Sequence, residues 1–434
     1  MKNTSKFQLI FLAILLVFAV IGVAIFALSG GGSQTTEEGG TAGPVYVWGT
    51  FDGGVINDLI KAVKVENKEF DVTYTELPEN GFDRQVVEAI ASGNGPDAIL
   101  VPQSFLGRFS DKLQPLSYEF ISERSFRDAY IDGAEIYLGV DGISGMPVAV
   151  DPLVMYWNRD LVAAAGLPRQ PITWEEFRSV VSRLTKYHST GSITQSGVAF
   201  GTYDNILHAK DILSTLILQT GNSLVAMEGG KYKSILARSS SAVSSPSESA
   251  LTFYTEFSDP VKPTYSWNLS LAEDLSRFVS GDLALYFGYA SELPEIQKRN
   301  PNLNFDVASI PQPEDTNSPR VFGNIFALML LKTANNTPGA VVAMQSLSSQ
   351  SASVFISGAT VLPPVQRSLL AVPQTNSFDP VFYDSALITH GWYDPNPSDS
   401  NRIFRDMIQS VISGRVRTSR AVRTADGELN SLLN

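Results

Sequence analysis

Apolar positions along the chain fall into short runs that alternate with helical stripes. Val45-Tyr46-Val47-Trp48-Gly49 reads as a strand ended by glycine, and Ile56, Leu59, Ile60 and Val63 recur at helical spacing. Phe70 to Leu77 alternates as a strand does. Phe82, Val86, Val87 and Ile90 form a second stripe, closed by Gly93. Ala98-Ile99-Leu100-Val101 is a short apolar run ended by Pro102. The order β-α-β-α-β predicts a parallel sheet with right-handed crossovers. Ligands of such sheets sit beyond the carboxyl ends of the strands. Those ends carry Trp48-Gly49-Thr50-Phe51-Asp52 and Pro102-Gln103-Ser104-Phe105.

A second unit begins at Met146-Pro147-Val148-Ala149-Val150-Asp151-Pro152. Val154 to Trp157 continues in extended style, and Asn158-Arg159-Asp160 opens a helix. Thr173-Trp174-Glu175-Glu176 has the form of a capping box, after which Trp174, Phe177, Val181 and Leu184 share one helical face. Ile206 to Gln219 reads as a helix stopped by Gly221, and Ser239 to Ser247 as a surface loop. Leu283 to Phe287 and Phe305 to Ile310 are strand candidates. Val321 to Leu331 is almost wholly apolar and suits a segment crossing between two lobes. Ile403, Phe404, Met407, Ile408, Val411 and Ile412 make an amphipathic helix, followed by Gly414 and an arginine run, Arg415 to Arg423, that reads as a solvated helix end.

The N-terminus changes the setting of this pattern. Leu9 to Leu28 carries no charge, and a helix of that length would span the roughly 30 Å apolar core of a bilayer. Lys2 and Lys6 precede it and no charge follows until Glu37, which places the basic flank in the cytoplasm and the remainder outside. A cleaved signal peptide is the competing reading, although signal cores are usually ~7–15 residues. Ser29 to Pro44 is rich in Gly, Ser and Thr and reads as a flexible linker.

Composition bounds the chemistry. Of 434 residues, 44% are hydrophobic and 18% charged, a globular balance. A formal net charge of −12 disfavours binding to phosphate backbones, so no nucleic-acid partner is expected. With no cysteine, disulfides, thiolate metal sites and cysteine nucleophiles are excluded. The three histidines, His188, His208 and His390, do not fall at metal-ligand spacing, and no metal or cofactor is expected. No nucleophile elbow, P-loop or dinucleotide fingerprint occurs.

The order of motifs resembles a known family. Gly95-Pro96-Asp97-Ala98-Ile99-Leu100-Val101 is similar to the first-lobe signature of family 1 extracellular solute-binding proteins, the maltose-binding-protein-like group. Gly145 to Asp151 with Tyr156-Trp157-Asn158-Arg159-Asp160-Leu161 looks like their first crossover. Ala165-Gly166-Leu167-Pro168, Ile172 to Phe177, Phe278 to Gly288, Phe305 to Pro311 and Val321 to Asn324 follow in the family's order. The resemblance implies an α/β, two-lobed periplasmic-binding-protein fold with a cleft between lobes, here preceded by a transmembrane helix. It places residues 1–28 as anchor or signal and 29–44 as linker. Residues 45–149 form lobe 1, with 326–361 returning to it, and 152–320 form lobe 2, with 366–434 returning. Hinges are expected at Met146–Pro152, at Val321–Phe326 and near Pro363-Pro364. The implied role is capture of a solute, most often a sugar or oligosaccharide, for ABC permease subunits, by a monomer held at the cell membrane through residues 9–28. Ala27-Leu28-Ser29-Gly30-Gly31 is similar to a lipobox without its cysteine, so a membrane helix would replace the lipid tether. Where maltose binders carry an aromatic, a carboxylate and an arginine, this chain has Val101, Ser104 and Phe105, so the particular sugar does not transfer.

Sugar capture needs ring faces for C–H surfaces and polar groups for hydroxyls. Trp48 ends the first strand and is a ligand or a core candidate, and Gln103, following the third strand, is a ligand candidate. Asp52 is either an acceptor or a helix N-cap, and Asp151 either an acceptor or a turn former; by resemblance the position of Asp151 is acidic in maltose binders. Tyr203 and Asn205 fit the family's second-lobe contact loop, where Asp204 or Asn205 is also the expected N-cap. Trp267 lies in a polar loop, Tyr289 ends a strand, and Trp392 and Tyr393 sit where a late aromatic closes the cleft in many relatives. Trp157 and Trp174 read as core. Two alternatives stay open: a surface sensor or scavenger of the same fold, and a glycan-cleaving enzyme using Asp52 with Asp151 across the cleft.

Overall fold

The computed structural model describes residues 43–238 and 245–433. The expected membrane segment at 9–28, nearly all of the linker and most of the serine-rich stretch lie outside them. Among the described residues no helix is long and apolar enough to cross a membrane.

The first unit alternates as the pattern predicts. Strand β1 (Val45–Gly49) leads to helix α1 (Gly53–Glu66), where Asp52 caps by accepting the Val55 N–H at 2.9 Å. Ile56, Leu59 and Ile60 face the core. β2 (Val72–Glu76), α2 (Phe82–Ala91) and β3 (Ala98–Pro102) follow, and β1 pairs in parallel with both β2 and β3. β3 is buried along its whole length, as expected of a strand covered on both faces.

Met146 to Asn158 forms one 13-residue strand, β4, rather than a crossover followed by a separate extended piece. Its first half pairs with lobe 1 and its second half with lobe 2, so both halves are buried and no polar break marks the middle. Asn158 then caps α3 (Arg159–Ala164) through its side chain. α4 (Trp174–Leu184) buries Trp174, Phe177, Val180, Val181 and Leu184. Each such side chain contributes about 1.5–3 kcal/mol of transfer free energy. β5 (Lys186–Tyr187) and β6 (Ile193–Val198) lead to α5, which runs from Ala209 to Leu218 rather than from Ile206. β7 (Leu283–Tyr289), β8 (Phe305–Ala308) and the long β9 (Val321–Leu330) complete the middle of the chain. α6 (Asp379–Leu387), β10 (Thr389–His390), α7 (Pro397–Ile412) and α8 (Thr418–Leu433) close it.

A ten-stranded sheet runs through the molecule in the order β2-β1-β3-β9-β4-β7-β6-β5, with β8 on β4 and β10 on β9. Two hydrophobic cores flank it. One gathers residues of the 45–150 segment with 325–370; the other gathers 153–310 with 403–429. β4 and β9 run antiparallel between the cores, registering Asn324 opposite Asp151 and Gly323 opposite Pro152. Pro152, which has no N–H to give, sits where β4 changes partner from β9 to β7. A Cβ at Gly323 would lie 2.9 Å from the Asp151 carbonyl oxygen and 3.0 Å from the Pro152 Cα, so only glycine lets the two crossing strands approach this closely.

The third crossing departs from expectation. Val365 and Leu370 still pack in the first core, and Gln366 bridges to Tyr130 in it. Phe382 of α6 lies in the second core and Ala386 in the first. The chain therefore changes lobe along α6 and β10, not at Pro363-Pro364. Two prolines supplied a local signal for a break, but apolar side chains after them continue to cover lobe 1.

Candidate functional site

The lobes face each other across a cavity of about 490 Å³ beside the β4–β9 crossing. Its floor is built by alternation: Phe322, Asn324 and Phe326 occupy positions i, i+2 and i+4 of β9 and share one face. Lobe 1 contributes Glu79, from the loop after β2, and Gln103 and Ser104, after β3. Lobe 2 contributes Tyr203, His208, Lys210 and Asp211 around the start of α5, Tyr289 at the end of β7, and Ser291 and Glu292 just beyond it. A strap at 390–396 adds Trp392 and Asp394, and α7 adds Pro397 and Asn401. These are carboxyl ends of strands and amino ends of helices, where the topology places a ligand.

The charged groups are largely tied to one another. His208 Nε2 lies 2.6 Å from Glu292 Oε1, and its Nδ1 is 3.9 Å from Asp211. Glu292 also accepts the Tyr289 N–H at 2.9 Å and the Tyr286 hydroxyl. The Tyr289 hydroxyl donates to Asp211 Oδ2 at 2.9 Å, and its ring meets His208 edge-on at 4.8 Å. Burial alone would pull the His208 imidazole down, but the charge and hydrogen bond of Glu292, with Asp211 and Asp274, outweigh it and raise it to about 9. Burial favours a neutral Glu292, yet the same histidine wins and holds that carboxyl below its usual range. Lys210 donates at 3.0 Å to both Asp394 Oδ2 and Ser400 Oγ, with its ammonium 5.7 Å from the Trp392 ring.

Asp151 is buried at the floor, accepting the Ser291 N–H at 3.0 Å. Its burial pushes the carboxyl up to about 7, against the hydrogen bonds from Ser291. Glu79 stands at the mouth. It is solvent-exposed there, and partial desolvation, then the charge of Asp211, raise its carboxyl while Lys210 partly offsets this. The cavity thus combines aromatic faces with acceptor-rich polar groups, a chemistry suited to a small polyhydroxylated solute. Among the described residues no cluster of His, Asp and Glu is arranged to hold a metal ion.

Comparison with known proteins decides the family. A family model described as bacterial extracellular solute-binding protein matches residues 49–352. The chain belongs to this family.

The fold agrees with that of other solute-binding proteins. A cyclo/maltodextrin-binding protein complexed with maltotetraose superimposes with a TM-score of 0.72 at 16% identity, over 91% of this chain and 98% of that one. The sugar-binding protein MalE from Xanthomonas citri gives 0.71 at 18% identity, over 90% and 97%. In sequence, the galactooligosaccharide-binding protein of Bacillus subtilis is 22% identical over 209 residues, 46% of this chain and 45% of that protein. A Brucella abortus protein named as a binding protein is 19% identical over 67% of this chain and 66% of its own length, so the chain spans just under two thirds of that relative. These matched proteins are named for binding, not for catalysis.

Against this solute-binding fold, the residues singled out in the sequence separate into two groups. Gln103, Asp151, Tyr203, Tyr289 and Trp392 come together in the cavity. Gln103 is held at both ends by β9, donating to the Gly323 carbonyl oxygen at 2.9 Å and accepting the Ile325 N–H, so it serves the floor more than the solute. Trp48, Asp52, Asn205, Trp267 and Tyr393 do not line it. Trp48 alternates on the β1 face shared with exposed Tyr46, away from the buried Val45, Val47 and Gly49. Asp52 is the α1 cap, so the cross-cleft pairing with Asp151 is not formed. Trp267 is fully buried, its indole N–H donating to Asn205 Oδ1 at 3.1 Å. Asn205 caps no helix: its amide N–H groups reach the Asn268 and Leu271 carbonyl oxygens at 3.0 Å each. Tyr393 stacks on Tyr232 at 3.7 Å beside a second, neighbouring cavity.

Glu79, His208, Lys210, Asp211, Glu292 and Asp394 were not anticipated. One signal was available for Glu79, since it lies just past the carboxyl end of β2.

Proposed function

We propose that this protein is a receptor that captures a sugar or oligosaccharide between its lobes and hands it to the permease subunits of an ABC importer. The observation that carries the reading is the cavity at the β4–β9 crossing, where rings from β9, β7 and the strap surround acceptor-rich polar groups. Ring faces would cover the apolar sides of a saccharide, each at about 0.5–1.5 kcal/mol beyond area burial. Closure would turn on Met146–Pro152 and Val321–Phe326, the paired strands that carry the sheet from one lobe to the other. Residues 9–28 would hold a monomeric receptor on the outer face of the membrane, and that tether would raise its local concentration beside a permease. Related proteins named for galactooligosaccharide and maltodextrin binding support the saccharide class.

The test is a thermal-shift screen of the full chain with monosaccharides, oligosaccharides, polyols and peptides. A ligand at 100 times its Kd adds about 2.7 kcal/mol, enough for a shift of at least a degree or two. The shift should come from a saccharide and fall sharply in Trp392→Ala. A peptide or polyol as the only hit would sink the carbohydrate assignment.

A further inference from the structure

The cavity is unbalanced in charge. Five carboxylates line it, on Glu79, Asp151, Asp211, Glu292 and Asp394, against one lysine and one histidine. Both cations are engaged within the wall: Lys210 with Asp394 and Ser400, His208 with Glu292 and more distantly Asp211. The strong donors are therefore satisfied before any ligand arrives, and so are the carboxylates of Asp151, Glu292 and Asp394, which leaves Glu79 unengaged and Asp211 held only by the Tyr289 hydroxyl and, more distantly, His208. Glu79 has no ion pair and no side-chain hydrogen bond among the described residues, and it lines the cavity from lobe 1 opposite Asp211 of lobe 2. A neutral sugar would bring only hydroxyl donors to these acceptors. A protonated amine would bring a charge-assisted donor, roughly twice as strong. The rings of Tyr203 and Trp392 line the same cavity and already hold protein cations, Arg405 at 5.3 Å and Lys210 at 5.7 Å, which shows that both can seat positive charge.

We infer that the cleft selects saccharides carrying a protonated amine, seated between Glu79 of one lobe and Asp211 of the other, and discriminates against carboxylated ones. The inference rests on the saccharide reading above and narrows it. A cation between the two carboxylates would relieve their mutual repulsion as the lobes approach, so the same group that gives affinity would also favour closure. The raised carboxyl of Glu79 agrees with this, because partial desolvation and the charge of Asp211 both act against its ionised form.

Calorimetry on the full chain tests it with matched pairs: glucosamine against N-acetylglucosamine, galactosamine against its N-acetyl form, and a glucosamine tetramer against the acetylated tetramer. Maltotetraose and a galacturonate tetramer complete the panel. At least one amine should bind about tenfold or more tighter than its acetylated partner, with the galacturonate weakest. The preference should shrink at least about fivefold in Glu79→Gln, and also between about 0.1 M and 1 M salt, as the Debye length falls from ~10 to ~3 Å. Equal or tighter binding of the neutral partners, or a preference untouched by Glu79→Gln, overturns the inference and leaves the saccharide reading standing. Silence from the whole panel overturns both.

Discussion

Lys210 and Asp394 form an ion pair whose side chains are only 12% and 4% exposed. Their enclosure decides what a substitution does. Asp394→Asn keeps the shape but leaves the ammonium without its counter-charge, and breaking a buried pair in this way costs about 3–5 kcal/mol. Equilibrium urea unfolding should show a loss in that range, while Lys210→Met combined with Asp394→Leu should recover much of it. A single-variant loss under about 1 kcal/mol would mean that water reaches the pair. At the same scale Trp392→Ala removes the ring that sits over the Lys210 ammonium and stacks at 6.1 Å on Phe404. Saccharide affinity should fall by about tenfold or more, the size of one ring contact plus its buried area. Calorimetry on the same preparation, with the far-ultraviolet dichroism unchanged, separates this from unfolding.

Elements show where the sequence was legible. The α4 stripe was readable because one face is core and the other solvent, and Trp174, Phe177, Val181 and Leu184 are all buried. Its capping box forms in part: the Thr173 hydroxyl accepts the Glu176 N–H at 3.3 Å, while the Glu176 carboxylate turns to Arg169 and the Ile172 N–H. Thr173→Ala should therefore cost about 1 kcal/mol in urea unfolding, the worth of a single cap bond. Long-range ties were not readable. The polar loop around Trp267 gave no sign that Asn205, 62 residues away, folds against it and buries the indole. The cleft carboxylates other than Asp151 were hidden for a related reason. They come from loop ends far apart in the chain, and with 18% of all residues charged no spacing distinguishes them. The strap is another long-range element. A Cβ on Gly107 would stand 2.2 Å from the Asp394 carbonyl oxygen and 2.8 Å from the Pro395 Cα, and backbone cannot step aside cheaply. Gly107→Ala should push the strap off lobe 1 and weaken saccharide binding several-fold by calorimetry, with secondary structure intact. Unchanged affinity would show that the strap's seat on lobe 1 plays no part in capture.

On the scale of the whole molecule, the buried titratable groups set how stability follows pH. Burial raises Asp151 and Asp274 from the ordinary 3.8 to about 7 each. A raised carboxyl favours the folded state while it is protonated, so this contribution is full below about pH 4 and is lost as pH climbs to about 7. His208 carries the same sign at higher pH. Its imidazole moves from 6.5 to about 9 because Glu292, Asp211 and Asp274 overcome the effect of burial. The folded state holds that proton more tightly than the unfolded chain, so its contribution is full below 6.5 and lost through about 9. Glu292 runs the other way: lowered from 4.5, it stabilises above that value and loses its contribution as the solution becomes more acid. A net charge of −12 adds self-repulsion that grows as the last groups ionise. The melting temperature of the ligand-free protein should therefore peak near about pH 5 and decline steadily to about pH 9. His208→Gln should flatten the limb between about 6.5 and 9. It would also leave Glu292 buried without its cation, which moves that carboxyl upward and shifts the remaining loss to lower pH. A wild-type profile that is level or rising from pH 5 to 9 would mean that water or lobe opening relieves these groups, and the cavity floor would then be far wetter than its packing implies.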